Sequence, residues 1–197
     1  MVSPHQSVGM LEVICGPMFS GKSEELMRRL RRASIAKQTV LTVKPSVDDR
    51  YAMEYVVSHD GTKHQAYALD SVSTILELAD LQKATVVGID EAQFFPQEII
   101  PVICKLIDTH RRVLVAGLDL DFRGIPFGVM PMLLAIADKV TKLQAICTEC
   151  GKDAHFTQRL VNGHPARFDD PVILVGAHEA YQARCRGCFD IDKMPSW

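Results

Sequence analysis

The sequence predicts an α/β fold with a central parallel sheet, followed by a small C-terminal domain. Over residues 10–140, short apolar runs alternate with segments of helical spacing, which is typical of strands joined by helical crossovers. After residue 140, this pattern gives way to two Cys-x-x-Cys pairs around short β-like segments. We therefore expect one domain at 10–140 and a smaller one at 141–193, with tails at 1–9 and 194–197.

The elements of the larger domain follow from local patterns. Apolar or β-branched runs predict strands at 10–15, 39–43, 86–89 and 113–118. Apolar residues spaced three or four apart predict helices at 22–37, 71–83, 96–112 and 128–138, and the last of these is expected to be buried. The mixed residues 44–70 predict a long loop with one strand at 55–58. In the smaller domain, β-like segments are expected at 155–161 and 172–175.

Composition limits the function classes. Hydrophobic residues make up 47% and charged residues 23%, which excludes a mostly disordered chain. The net charge of −2 offers no basic field for a nucleic acid, so no such partner is expected. The longest uncharged apolar stretch, 124–137, falls short of the roughly 20 residues that a membrane-spanning helix needs. Without a secretory signal pattern, we expect a cytoplasmic protein without a membrane partner.

A phosphate-binding loop is the most specific motif. Residues Gly16–Ser23, GPMFSGKS, match GxxxxGK[ST] between a predicted strand and a predicted helix. Backbone N–H groups and the positive end of the helix would converge on the phosphates, Lys22 would neutralise β/γ oxygens, and Ser23 would bind Mg²⁺. The predicted nucleotide-binding residues of the loop are Gly16, Pro17, Met18, Phe19, Ser20, Gly21, Lys22 and Ser23.

An acidic pair at the end of the strand at 86–89 is the predicted partner of this loop. Asp90 is expected to hold the Mg²⁺ of a bound nucleotide. Glu91 is expected to act as a general base toward an attacking hydroxyl or water, with a solvated or capping carboxylate as the alternative. The guanine-reading NKxD pattern is absent. Together with the short chain, this favours a small-molecule kinase.

Two cysteine pairs predict a structural metal site. Four thiolates leave no open coordination position, so Cys147, Cys150, Cys185 and Cys188 are expected to bind structural Zn²⁺. Two disulfides or a redox dithiol are the alternatives, which a reducing compartment disfavours. Cys15 and Cys104 stand in apolar segments and are expected to be buried. Met130 and Met132 are likewise expected in the core.

Over residues 10–193, the chain resembles the type II, zinc-containing thymidine kinases. The resemblance lies in ICGPMFSGKS (14–23), DDRY (48–51), IDEAQFF (89–95), AGLDLDFRGIPFG (116–128), CTEC (147–150) and VGAHEAYQARCRGC (175–188). It implies transfer of the ATP γ-phosphoryl to the 5′-hydroxyl of thymidine or deoxyuridine, with Mg²⁺ accompanying ATP. It also implies a role in pyrimidine deoxynucleotide salvage, a homotetramer, and feedback inhibition by thymidine triphosphate.

The resemblance also assigns residues to roles. Glu91 matches the general base, and Asp90 and Gln93 match ATP contacts. Asp48 and Arg50 match positions near the transferred phosphate. A base and sugar pocket with a closing lasso loop, anchored by the zinc unit, is implied at Met18, Phe94, Leu118, Phe122, Phe127, Thr157, Val172, Leu174, Gly176 and Tyr181. Phe95 is expected in the core.

Two other functions stay open at this point. A kinase of another nucleoside would use the same phosphate loop and Glu91. An ATP-driven switch would bind a nucleic acid or a partner through a zinc ribbon, and it predicts a basic surface between the cysteine pairs. The arginines there are diluted by Asp153, Asp169, Asp170 and Glu179, so the switch is the weaker alternative.

Overall fold

A computed structural model describes residues 8–46, 54–57, 63–172 and 179–193. Within these residues, seven strands form one sheet in the order β3-β4-β2-β5-β6-β1-β7. The strands are β1 Met10–Cys15, β2 Val40–Pro45, β3 Glu54–Val57, β4 Lys63–Leu69, β5 Val86–Ile89, β6 Arg112–Gly117 and β7 Lys139–Lys142. Six of these strands, β4, β2, β5, β6, β1 and β7, pair in parallel. β3 pairs antiparallel with β4 at one edge. The predicted central parallel sheet is therefore confirmed.

Helices cover both faces of this sheet. They are α1 Lys22–Ile35, α2 Ser73–Leu81, α3 Ile99–Asp108 and α4 Met130–Ile136. On one face, Ile14 of β1 is buried with Leu26 and Leu30 of α1. On the other face, the neighbouring Val13 joins a larger cluster that includes Ile103 of α3. Because successive strand side chains point to opposite faces, an entirely apolar strand such as β1 serves both layers of the core.

The sheet register brings three chain segments to the same edge. Cys15 pairs with Gly117, the last residue of β6, and Ile89 at the end of β5 pairs with Val115. The loops that leave β1, β5 and β6 therefore start side by side. In parallel α/β sheets, this carboxyl edge is where ligands bind.

The segment 44–70 differs from its prediction. It was expected to be a loop with one strand, but the structure has the two strands β3 and β4. The sequence of β4, KHQAYAL, lacks the apolar run of a central strand because it lies next to the edge. Its conformation is set by pairing with β2, where Val43 lies opposite Tyr67, and with β3. Local propensity was overridden here by tertiary pairing.

Two helices also differ from their predictions. α3 begins at Ile99, not at Pro96, because Pro96–Glu98 form turns that bond to Ile99 and Ile100. α4 was expected to be a buried helix, yet only Met130 and Leu133 are buried. Met132 is 55% exposed, so its predicted place in the core is wrong. Phe95 is buried as expected.

The C-terminal residues form two small antiparallel sheets. β8 Ala145–Ile146 pairs with β9 Asp153–Ala154, and β10 Phe156–Val161 lies between β11 His164–Pro165 and β12 Glu179–Arg184. The predicted segment at 155–161 is confirmed as β10, whereas β12 was missed. Of the segment predicted at 172–175, residues 173–175 lie outside the described residues, so this strand stays a prediction. β7 spans the division predicted at residues 140 and 141, so the domain boundary stays a prediction.

The two parts of the chain pack together. Phe122, from the loop after β6, is buried in a cluster with Ala166 and Ile191 of the C-terminal part. The guanidinium of the fully buried Arg159 on β10 lies over the Phe122 ring, 4.9 Å from its centroid. In the part of the chain that the structure describes, no helix is long and apolar enough to cross a membrane.

Candidate active site

The phosphate loop lies between β1 and α1, as predicted. Gly16 adopts φ 147°, and a Cβ at this position would lie 2.4 Å from the carbonyl oxygen of Leu143. Gly21 adopts φ 80° immediately before α1, a left-handed conformation that glycine takes without steric cost. The Ser20 hydroxyl and the Lys22 ammonium each donate to the Pro17 carbonyl at 2.8 Å, which holds the loop in its curled shape.

Lys22 lies close to both carboxylates of the acidic pair. Burial lowers the pKa of Lys22, while the charges of Glu91 and Asp90 oppose that shift. The structure therefore places one positive and two negative side chains at the carboxyl edge of the sheet. An anionic phosphate chain binding there would meet Lys22 and the loop amides, and a cation would be needed beside the carboxylates.

Asp90 fits the predicted place of a magnesium ligand. It is 5% exposed, and burial, followed by the charge of Glu91, raises its pKa to about 6. The Ser23 hydroxyl bonds to Asp90, and the Glu91 amide donates to its Oδ1 at 2.9 Å. Hydroxyl and carboxylate oxygens side by side are the ligand type that Mg²⁺ takes, together with waters and substrate phosphates. The chemistry of this pair therefore fits Mg²⁺.

Glu91 follows in a left-handed backbone conformation, at φ 52° and ψ 39°. Such a conformation costs a residue with a side chain about 1–3 kcal/mol and persists only where its surroundings impose it. The turn that imposes it is closed by the Phe94 amide, which donates to the Glu91 carbonyl at 3.1 Å. The partly buried Glu91 lines the cavity described next.

A cavity of about 280 Å³ opens beside the phosphate loop. This is near the lower end of the roughly 300–1,000 Å³ typical of small-molecule sites. The rings of Phe94 and Phe127 pack edge to face in its wall, with centroids 5.5 Å apart. It is lined by Met18, Lys22, Glu91, Phe94, Leu118, Leu120, Asp121, Phe122, Phe127, Thr157, Val172 and Tyr181.

Every predicted pocket residue that the structure describes therefore lies at one cavity. Leu174, Gly176, Asp48 and Arg50 lie outside the described residues. Two lining residues, Leu120 and Asp121, were missed. Both lie in the segment 116–128, between the predicted pocket residues Leu118 and Phe122. Their position between these two residues was the sequence signal that could have identified them.

Thr157 joins the C-terminal part to the phosphate loop. Thr157 is buried, and its hydroxyl oxygen accepts a hydrogen bond from the Met18 amide at 3.0 Å. Thr157 also lines the cavity. Its predicted contact with a base stays a prediction, but the structure gives it a second role, because it fixes one peptide of the loop against β10.

The side chain of Gln93 connects the Glu91 carboxylate to the backbone at Leu118. The side chain is 3% exposed; its Nε2 donates to Glu91 Oε2 at 2.5 Å, and its Oε1 accepts from the Leu118 amide at 3.0 Å. Its predicted place among the ATP contacts stays a prediction.

The four paired cysteines form one cluster. Their sulfur atoms all lie within 4.8 Å of one another, and those of Cys150 and Cys185 are 3.6 Å apart. Sulfurs bound at about 2.3 Å to one tetrahedral zinc ion are ~3.8 Å apart, so the cluster fits this ion. All six cysteines, each within the described residues, are free thiols. Cys15 is buried as expected, whereas Cys104 is exposed, so the prediction for Cys104 is wrong.

Comparison with known proteins agrees with this arrangement. The family model described as thymidine kinase matches residues 9–189. A protein of Coprothermobacter proteolyticus named thymidine kinase is 60% identical over 177 residues, which are 90% of this chain and 88% of that protein. The matched region contains the phosphate loop, the acidic pair, the cavity residues and the four clustered cysteines. The chain therefore belongs to the thymidine kinase family.

Proposed function

We propose that this protein transfers the γ-phosphoryl group of ATP to the 5′-hydroxyl of thymidine, and of deoxyuridine, to form the 5′-monophosphate. The observation that supports this most directly is that Lys22 and Glu91 line the same cavity. The ammonium of Lys22, the carboxylate of Glu91 and the aromatic rings of Phe94, Phe122 and Phe127 all line this space, which supports a site for a phosphate donor and an aromatic acceptor. Membership in the thymidine kinase family supports the same reaction.

The triphosphate would lie along Gly16–Ser23. Loop amides and Lys22 would bind the phosphate oxygens, and Ser23 and Asp90 would hold Mg²⁺. When bound, Mg²⁺ supplies positive charge at the β- and γ-phosphates. Phosphoryl transfer depends chiefly on such charge neutralisation and on alignment of the reacting oxygens. Asp48 and Arg50 are proposed, from the resemblance alone, to act near the transferred phosphate.

The nucleoside would fill the cavity. Phe94 and Phe127 would enclose the base with Met18, Leu118 and Phe122, and Thr157, Val172, Leu174, Gly176 and Tyr181 would complete the pocket and its lasso. The 5′-hydroxyl oxygen would bond to the γ-phosphorus as the bond to the leaving ADP oxygen breaks. Glu91 would take the hydroxyl proton. An enclosed pocket rejects a wrong base by leaving a buried polar group unpaired.

Other parts of the proposal rest on the resemblance. We propose that Cys147, Cys150, Cys185 and Cys188 hold a structural zinc ion that ties down both ends of the lasso. We also propose a cytoplasmic homotetramer that serves pyrimidine deoxynucleotide salvage and DNA synthesis and is inhibited by thymidine triphosphate.

A substrate panel tests the proposed function. Purified protein with Mg-ATP is incubated with each common nucleoside, and monophosphate is detected by mass. Product from thymidine and deoxyuridine alone is expected. Product from purine nucleosides or deoxycytidine would leave a kinase but remove this specificity. ATP hydrolysis without any nucleoside product would favour the zinc-ribbon switch.

A further inference from the structure

We propose that Gln93 is a positioning residue, which fixes the orientation of the Glu91 carboxylate toward the attacking hydroxyl. The inference rests on the proposed function, in which Glu91 is the base. It assigns Gln93 an action through Glu91 and not through the phosphates of ATP.

The first step is the orientation of the Gln93 amide. One end faces the backbone N–H of Leu118, which only donates, and the other faces a Glu91 carboxylate oxygen, which accepts. The chemistry of the two partners therefore assigns Oε1 to the Leu118 side and Nε2 to the Glu91 side. The amide is a bridge with a fixed direction, from the end of β6 to the carboxylate.

The second step is the rigidity of this bridge. Gln93 sits in a tight turn, Ala92–Phe94, and its side chain is 3% exposed. A Cβ on Gly117 would lie 2.8 Å from Gln93 Oε1, and a Cβ on Gly128 would lie 2.2 Å from the Gln93 carbonyl oxygen. Glycine at these two positions therefore lets the chain pack closely against the side-chain amide and the backbone of Gln93, and this close packing restricts the movement of Gln93.

The third step is what the bridge does for the base. Glu91 has a flexible side chain and lines a cavity that water can enter. The hydrogen bond to Oε2 fixes one carboxylate oxygen and leaves Oε1 for the proton of the substrate. A misplacement of about 1 Å at a reacting group costs on the order of 10²-fold in rate. Loss of the bridge should therefore slow the chemical step and leave substrate binding unchanged.

The test compares variants of the full-length protein in the thymidine phosphorylation assay. Gln93→Met keeps the size of the side chain and removes both hydrogen bonds. We expect kcat to fall about 10- to 100-fold, with KM values for ATP and thymidine within about threefold of the wild type. Gln93→Leu also removes both hydrogen bonds with an apolar side chain, so it should lose kcat as well, even if Gln93→Met fails to fold.

A double-mutant cycle with Glu91→Gln separates positioning from other roles. If Gln93 acts through Glu91, adding Gln93→Met to Glu91→Gln should change kcat by less than about twofold. The matched control is Gln158→Met. Gln158 is also a buried glutamine bonded at both ends, to the amide and carbonyl of Asp190, and its loss should lower the unfolding midpoint while kcat is retained.

Three results would overturn the proposal. Multiplicative losses in the double variant would show that Gln93 acts independently of Glu91. A rise in KM for ATP with normal kcat would indicate a direct phosphate contact. Normal kinetics in a folded Gln93→Met or Gln93→Leu would remove the role altogether. An inactive wild-type enzyme would instead refute the proposed function, and this inference with it, so the two failures are distinct.

Discussion

At the scale of single residues, the site depends on two acidic side chains in unfavourable surroundings: one is buried, and the other stands on a strained backbone. Asp90 is buried beside a second carboxylate, and Glu91 lines the cavity in a left-handed backbone conformation. The sequence predicted the identity of both acids from their place after an apolar strand. It did not predict that Gln93 bridges Glu91 and the Leu118 amide, because a hydrogen bond to the end of β6, 25 residues away, leaves no spacing pattern in the chain.

Replacing Glu91 tests the proposed base. Glu91→Gln should lower kcat by ~10²-fold or more, because the amide cannot accept the hydroxyl proton. ATP affinity, measured by equilibrium titration, should be nearly unchanged, since the phosphate loop is intact. Turnover close to that of the wild type would exclude Glu91 as the base.

The two isolated cysteines should differ in reactivity. Burial, and next the charge of Asp119, raises the pKa of Cys15 to about 11. A raised pKa leaves less of the reactive thiolate at pH 8, whereas Cys104 is exposed. In native protein treated with iodoacetamide at pH 8, peptide mass mapping should therefore show modification of Cys104 and protection of Cys15. Both should react after denaturation, and equal labelling in the native protein would contradict the buried environment of Cys15.

At the scale of elements, prediction succeeded where burial on both faces forced an apolar run. β1, β5 and β6 lie inside the sheet, and their local apolar sequences alone predict strands. β4 (Lys63–Leu69) and β12 (Glu179–Arg184) have mixed polar and apolar sequences. They form strands because they pair with β2 and β10. The cavity could be anticipated only through the resemblance, because its walls come from distant segments.

The bond between the phosphate loop and β10 gives a test at this scale. Thr157→Val removes the acceptor of the Met18 amide while nearly keeping the shape of the side chain. Such a hydrogen bond contributes about 1 kcal/mol. Because its loss makes the phosphate loop less ordered, KM for ATP should rise about fivefold. Thr157→Ser keeps the hydroxyl and is the matched control. An unchanged ATP KM in Thr157→Val would show that the loop is held by its own contacts.

At the scale of the whole molecule, the C-terminal part completes the site. Thr157, Val172 and Tyr181 line the cavity together with residues that follow β1, β5 and β6. The doubled Cys-x-x-Cys spacing predicted which residues cluster, since each pair supplies two sulfurs to a shared point. It could not predict that this part would also bond to the phosphate loop.

Disrupting the cysteine cluster should therefore affect catalysis at a distance. Cys147→Ser should lose zinc, and with it folding free energy of the C-terminal part. KM for the nucleoside should rise before that for ATP, because residues of this part line the nucleoside cavity. Zinc content, measured by elemental analysis of the purified variant, checks the premise, and a full equivalent of zinc would refute the four-cysteine site.

The backbone of Glu91 has a consequence for how the protein can evolve. Glycine and asparagine accept a positive φ at less cost than glutamate. Either one at position 91 would relieve part of the roughly 1–3 kcal/mol of strain while abolishing the base. In a library randomised at this codon, selection for heat resistance alone should enrich inactive Gly and Asn sequences, whereas selection for growth on salvaged nucleoside should restore glutamate. Thermal tolerance and turnover thus compete at one residue.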